Sequence, residues 1–323
     1  MSVKSNLLEL LELNKGESLS GEAIANSLNC TRAAVWKAVK SLQQEGYLIE
    51  AVKNRGYRLK KENNRLSAEG IRAYLNYSGN YIKVYEEIES TNKAAKQAVV
   101  QGIAEHGALI AAVTQTDGRG RRGRNFYSPQ GGLYMSCVLQ PKETIQESLL
   151  ITTAAATSVY QAVKEVCGIS LDIKWVNDLY KDSKKVCGIL TEAITDFESG
   201  NIDSIIVGIG LNLFIDEEML PEELKPIVGA LFENHADAQN VDKNKLVACI
   251  MNHLLEEMKC LKLSDVYVQR NMIPGNRIQI DDGNSIRYAK AISICDDGKL
   301  LVEEEDGTQS RLVYGEVSVS LKK

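Results

Sequence analysis

Near the N-terminus the spacing of hydrophobic positions changes period, and each period predicts an element. Leu7, Leu8, Leu10 and Leu11 make one apolar face that Lys15-Gly16 interrupts, which predicts a first helix. Ser20 is placed to cap a second helix bearing Ile24 and Leu28, and Asn29-Cys30 then turns the chain. Thr31 caps a third helix, on which Val35, Ala38, Val39 and Leu42 recur at i, i+3, i+4 and i+7. Gly46 ends it, and alternation takes over: residues 47–52 and 57–59 read as short strands around the turn Lys53-Asn54-Arg55-Gly56. Helix, tight turn, helix and hairpin together predict a winged helix-turn-helix. With its apolar set turned inward, the third helix leaves Arg32, Ala33, Trp36, Lys37 and Lys40 outward, toward a major groove, while Arg55 and Arg58 on the wing lie near phosphates. The competing reading is a helical hairpin for protein contacts with a solvated basic face; the basic hairpin that follows at the right distance favours DNA.

Residues 60–66, with Lys60-Lys61-Glu62-Asn63-Asn64-Arg65, are strongly polar and read as a linker. Beyond them a short apolar strand covers residues 108–114. From Asn276 onward β-rich stretches recur between turns at Asp281-Asp282-Gly283, Asp296-Asp297-Gly298 and Asp306-Gly307, the rhythm of a small all-β barrel. No internal repeat or low-complexity segment is present.

Composition adds bounds to this pattern. A length of 323 residues allows about two domains, or three if one is small. With 44% hydrophobic and 25% charged residues the chain is globular rather than disordered or fibrous. No apolar run approaches ~18 residues, and the opening Met1-Ser2-Val3-Lys4 leads straight to Glu9 and Glu12, so neither a membrane span nor a signal peptide is expected, and the cytoplasm is the expected location. The seven cysteines, Cys30, Cys137, Cys167, Cys187, Cys249, Cys260 and Cys295, form no CxxC pair and are odd in number, which predicts reduced, mostly buried thiols. His106, His235 and His253 lack zinc-site spacing. The net charge of −5 conceals an asymmetry: residues 1–65 hold eleven Lys/Arg against seven Asp/Glu, a balance of +4 that leaves −9 on the remainder. A polyanion partner is therefore expected for the N-terminal part alone.

The strand at 108–114 runs into Gln115-Thr116-Asp117-Gly118-Arg119-Gly120-Arg121-Arg122-Gly123-Arg124. Gly118, Gly120 and Gly123 satisfy the dinucleotide fingerprint GxGxxG, but that fingerprint opens a helix, whereas this loop is loaded with arginine and continues into Asn125-Phe126-Tyr127-Ser128-Pro129. Four arginines within six residues repel one another and are expected to order around an anion. Glycine lets the backbone bend closely round a ligand, and guanidinium forks hold phosphate or carboxylate in bidentate fashion. The sequence has no GxSxG elbow and no obvious Cys/His pair.

This loop, with Ser90-Thr91-Asn92 before it and Lys174-Trp175-Val176-Asn177-Asp178 after it, closely resembles the signature set of the bifunctional biotin–protein ligase and biotin operon repressor family. The resemblance continues through Lys185-Val186-Cys187-Gly188-Ile189-Leu190-Thr191-Glu192, Gly208-Ile209-Gly210-Leu211-Asn212 and Gly315-Glu316-Val317-Ser318. It implies an α+β multidomain protein: a winged helix-turn-helix at 1–65, a mixed α/β catalytic domain at 66–272 and an SH3-like barrel at 273–323. It also implies an ATP-dependent biotin–[acetyl-CoA-carboxylase] ligase with Mg²⁺ and no tightly bound prosthetic group. Biotinyl-5′-AMP would form from biotin and ATP, pass its biotin to a lysine of a biotin carboxyl carrier domain, and serve as corepressor at an operator of biotin synthesis and uptake genes, through a ligand-promoted homodimer.

Carried over residue by residue, the resemblance implies that Ser90, Thr91, Asn92 and Gln115 bind the ureido end of biotin, and that Arg119, Gly120 and Arg121 hold its carboxylate and the phosphate. Lys185, placed just before a strand, would neutralise charge between the two, with Arg119, Arg121 and Asp178 as its catalytic partners. Arg122, Arg124, Phe126, Asn177 and Asn212 would face ATP or the adenylate, and Asp178 the Mg²⁺ ion. The sequence departs from the family in having Phe126 where tryptophan is common and Val176 where proline is common. A biotin sensor without ligase activity and a lipoate or octanoyl ligase are the rival readings; the intact arginine loop and Lys185 speak against the first, the loop and the winged module against the second.

Overall fold

The computed structural model describes residues 2–77, 81–140, 148–195, 202–281 and 285–313, and the backbone of 318–321. Three helices open the chain, α1 (Val3–Leu13), α2 (Gly21–Ser27) and α3 (Arg32–Gln44), each started by a hydroxyl that accepts a backbone N–H three residues on: Ser2 from Ser5, Ser20 from Ala23 and Thr31 from Ala34. Leu7, Leu8, Leu11, Ile24, Val35, Val39 and Leu42 close into one apolar cluster, with Leu10 and Leu28 at its edge. The wing is β1 (Ile49–Val52) against β2 (Gly56–Leu59). Gly56 has φ of 98° and passes so close to Leu19 that a Cβ would sit 2.0 Å from its carbonyl oxygen, so glycine alone closes this turn.

The polar stretch at 60–66 is docked rather than loose. Asn63 is 2% exposed and its Oδ1 accepts from the Leu48 N–H at 3.0 Å, while Arg65 reaches Glu86 at 2.9 Å. Beyond it α4 (Ala68–Ala73) packs on α1. Glu9 pairs with Arg72 at 3.1 Å, Lys15 with Asp242 at 3.2 Å, and the Tyr74 hydroxyl donates to the Glu12 carbonyl at 3.0 Å. The Glu12 carboxyl is wholly buried in this junction; burial pushes its pKa up to about 7 against the pull of Lys15.

The central sheet has seven strands in the order β3-β4-β5-β9-β8-β7-β6. β3 (Ile82–Ile88) and β4 (Leu109–Gln115) are parallel, joined through α5 (Thr91–Val100); every other neighbouring pair is antiparallel, through β5 (Gly132–Leu139), β6 (Asp172–Lys174), β7 (Asp178–Lys181), β8 (Lys184–Thr195) and β9 (Ile202–Asn212). All eight residues of β5 are buried because both faces are covered. Ile110, Val138 and Ile206 face α5, whereas Leu109, Ala111, Met135 and Cys137 join the main core beneath α6 (Ser148–Cys167) and α8 (Lys243–Glu257). Smaller helices α7 (His235–Gln239) and α9 (Asp265–Arg270) complete this part. Among the described residues no helix is long and apolar enough to cross a membrane.

The C-terminal strands β10 (Arg277–Asp281), β11 (Ile286–Ile294), β12 (Leu300–Glu304), β13 (Gln309–Leu312) and β14 (Ser318–Leu321) form an antiparallel sheet ordered β13-β12-β11-β10-β14. Ile278, Ile280, Ala291, Leu300 and Val302 merge with the main core. The turns at Asp296-Asp297-Gly298 and Asp306-Gly307 fall where the sequence put them, whereas Asp282-Gly283 and Gly315-Glu316-Val317 lie outside the described residues. Gly298 seats this sheet on the centre: its carbonyl accepts from Trp175 Nε1 at 2.9 Å.

Candidate active site

The arginine loop leaves β4 and does not open an α-helix. Gly120 N–H donates to Arg124 O at 2.7 Å and Phe126 N–H to Gly118 O at 2.8 Å, folding the loop into a small hairpin around a 3-10 turn at Arg121–Gly123. Arg122 sits there at φ of 58°, a left-handed position that the following Gly123, at φ of 72°, helps to turn. Arg119 is exposed and pairs with Asp117 at 2.8 Å, and Arg121 crosses to donate to Asn177 Oδ1 at 2.8 Å.

That hairpin roofs a cavity of about 230 Å³ over the sheet. Ser90, Thr91, Asn92, Gln115, Arg119, Gly120, Arg121, Arg122, Arg124, Phe126, Asn177, Asp178 and Lys185 all line it, so side chains as distant in sequence as Ser90 and Lys185 meet in one chamber. Asn212 is not among its walls. It is 3% exposed and its amide donates to Gly229 O at 3.0 Å, which steadies the segment that pairs with Lys185.

At one end the start of α5 presents Thr91 and Asn92. Ser90 is occupied as the helix cap, accepting from Lys93 N–H, while Thr91 N–H and Oγ1–H reach Gln115 Oε1 at 2.8 and 3.0 Å. At the other end β6 and β7 make a hairpin whose turn is Trp175-Val176-Asn177, so Trp175 and Asn177 lie in the turn and Asp178 opens β7. Lys185 is the second residue of β8, inside the strand instead of before it. A bulge between Leu179 and Tyr180 sets it opposite Tyr180, and its Nζ lies 2.7 Å from Asp178 Oδ1.

Two features escaped the sequence. Lys174 faces Asp178 across the β6–β7 register, stands 5.6 Å over the Tyr180 ring, and has its pKa lowered by burial. The register that pairs it with Asp178 was the missing signal. The floor is made of glycine: a Cβ on Gly208 would sit 2.2 Å from Asn92 Oδ1, and one on Gly210 would sit 2.3 Å from the Phe126 ring. Phe126 rests in this gap, edge-on to Tyr134 with ring centres 6.4 Å apart.

On the N-terminal module Arg32, Ala33, Trp36, Lys37 and Lys40 are all exposed along one side of α3, with Trp36 56% exposed. Arg55 stands exposed at the wing tip, and Arg58 is half-buried and ion-paired to Glu50.

A roofed pocket with converging cations, on a mixed sheet joined to a helix-turn-helix, defines a DNA-binding protein with a ligase-type domain. Residues 84–212 match the biotin/lipoate A/B protein ligase family, and residues 3–58 match a helix-turn-helix domain. The chain is 34% identical to the bifunctional ligase/repressor BirA of Bacillus subtilis over 321 residues, covering 95% of both. It is 28% identical to the bifunctional ligase/repressor BirA of Escherichia coli over 316 residues, covering 95% of this chain and 94% of the other. A biotin protein ligase from Aquifex aeolicus, solved in complex with biotin and ATP, aligns with a TM-score of 0.62 at 27% identity over 75% of this chain and 99% of that one. The chain belongs to the bifunctional ligase/repressor BirA family.

Proposed function

We propose that this protein activates biotin with ATP to biotinyl-5′-AMP, transfers biotin to a lysine of a carboxyl carrier domain, and represses biotin synthesis and uptake genes with the adenylate as corepressor. The observation that carries this reading is the chamber itself: Arg121, Lys174 and Lys185 converge on it beside the hydrogen-bonding end at Thr91 and Gln115. Activation brings two anions together, the carboxylate of biotin and the α-phosphate of ATP. Three cations within a partly enclosed site lower the repulsion between them and stabilise the negative charge of the transition state.

In this mechanism the ureido ring sits against Thr91, Asn92 and Gln115, and the loop around Arg119, Gly120 and Arg121 closes over carboxylate and phosphate. Lys185 leaves Asp178 to bridge the carboxylate and α-phosphate oxygens. The carboxylate attacks phosphorus, pyrophosphate departs, and the mixed anhydride stays enclosed until a carrier amine attacks its acyl carbon and releases AMP. Arg122, Arg124 and Asn177 lie along the nucleotide, with Phe126 against the adenine. Mg²⁺ carried in with ATP would screen the charge of its phosphates. Among the described residues no three potential metal-ligating side chains cluster, and Asp178 is the carboxylate on the chamber wall, so the residues present fit a metal held mainly by the ATP phosphates rather than a resident ion.

We also assign domains at 1–65, 66–272 and 273–323, the last as an SH3-like barrel that closes over the nucleotide, and we place the protein in the cytoplasm as a homodimer when the adenylate is bound. Biotin-dependent exchange of pyrophosphate into ATP tests the reading: exchange that requires biotin supports it, and exchange equally promoted by lipoate, or absent, contradicts it.

A further inference from the structure

Behind the chamber's hydrogen-bonding end, a chain of polar groups leads out to a carboxylate that does not itself line the cavity. Glu192 on β8 accepts from Asn92 Nδ2 at 2.7 Å and pairs through its other oxygen with Lys96 at 2.6 Å. Asn92 Oδ1 lies 2.6 Å from Ser136 Oγ, and Ser136 Oγ lies 2.7 Å from Thr91 Oγ1. Ser136 is wholly buried on β5, and Gly208 beside it leaves the space that the Asn92 amide fills.

Hydrogen accounting fixes the direction of every link. A carboxylate only accepts, so Glu192 holds the Asn92 amide with nitrogen outward and oxygen inward. An amide oxygen also only accepts, so the Ser136 proton points at Asn92 and the Ser136 oxygen is left to accept from Thr91. A second chain arrives from the other side. Ser128 donates to the Phe126 carbonyl at 2.9 Å and accepts from Gln115 Nε2 at 3.0 Å, which turns Gln115 Oε1 toward Thr91. Two acceptors, Ser136 Oγ and Gln115 Oε1, therefore compete for the single hydroxyl proton of Thr91. The Thr91 oxygen keeps its lone pairs for the cavity, and that end has a surplus of acceptors.

We infer that Glu192 is a positioning residue for ligand selection: through Asn92 and Ser136 it orients the Thr91 hydroxyl as an acceptor, so that the site demands an N–H donor from its ligand. This rests on the proposed function, in which the donor is a ureido N–H of biotin. A ligand presenting only acceptors there would oppose lone pairs to lone pairs and leave buried groups unpaired.

The test uses the full chain and calorimetry with biotin and two carbamate analogues, each with oxygen in place of one ureido N–H. Wild type is expected to favour biotin over at least one carbamate by about tenfold or more. Glu192→Leu is expected to weaken biotin about tenfold while leaving that carbamate and the KM for ATP unchanged, and Glu192→Gln, which still offers Asn92 an oxygen, to restore most of the loss. Ser136→Ala should cause a similar loss that does not add to that of Glu192→Leu, because both break one chain. Equal weakening of biotin and both carbamates, additive losses, or no change overturns the inference. Wild-type protein that does not bind biotin at all would instead overturn the function on which it rests.

Discussion

At the scale of single residues, the proposed mechanism concentrates its chemistry on Lys185, whose ammonium is 2.7 Å from Asp178. Lys185→Ala should lower the rate of adenylate formation by about a hundredfold to a thousandfold, the usual cost of removing one group that stabilises transition-state charge, with far less effect on biotin affinity. Single-turnover kinetics would check the split; equal losses in rate and affinity would make Lys185 a binding residue. Gly210→Ala probes the floor. With a Cβ 2.3 Å from the Phe126 ring the aromatic must move, so the KM for ATP should rise several-fold while the fold persists. Much of the site was legible through the family resemblance, which carried Arg119, Arg121, Lys185 and Asp178 over residue by residue, and the fold brings all four to one chamber. What sequence could not show was the use of side chains by their own neighbours. Arg58 pairs with Glu50 and the Asn212 amide nitrogen donates to Gly229, and only folded distances reveal it.

At the scale of elements, the period change that separated α3 from the wing was readable because each apolar face has one place to go. The exposed basic side of α3 and the wing tip make the next prediction. Lys37→Ala with Arg55→Ala should weaken duplex binding and flatten the log–log salt dependence by roughly two units, since each phosphate contact contributes about one. Unchanged affinity and slope in a salt titration would remove α3 and the wing from the DNA surface. The docking of α1 against α4 and α8 was not legible, because it buries Glu12, and a carboxylate is ordinarily read as solvated. Its folded pKa of about 7 lies above the ordinary 4.5, so the native state holds the proton more tightly than the unfolded chain. Its contribution is whole below about pH 4.5 and is lost as pH rises through about 7, on the order of 3 kcal/mol in total. Denaturant melts at about pH 5 and pH 8 should show this slope in wild type and not in Glu12→Gln; the same slope in both would place the titration elsewhere.

At the scale of the whole molecule, three units lean on one another. The wing module is tied through Glu9, Lys15 and Tyr74, and the C-terminal sheet through Trp175, which also walls the chamber. A ligand filling the chamber would meet a residue that anchors the last sheet, and a ligand shifts an equilibrium by its differential affinity for the two states. Sedimentation should show a dimer with biotin plus ATP and a lighter species without them; identical profiles would dissociate repression from the adenylate. The most direct measurement of the central claim is the mass of a carrier domain after incubation with this protein, ATP, Mg²⁺ and biotin. The account predicts one biotin added on a lysine, dependent on ATP and abolished in Lys185→Ala, and a carrier of unchanged mass would contradict it.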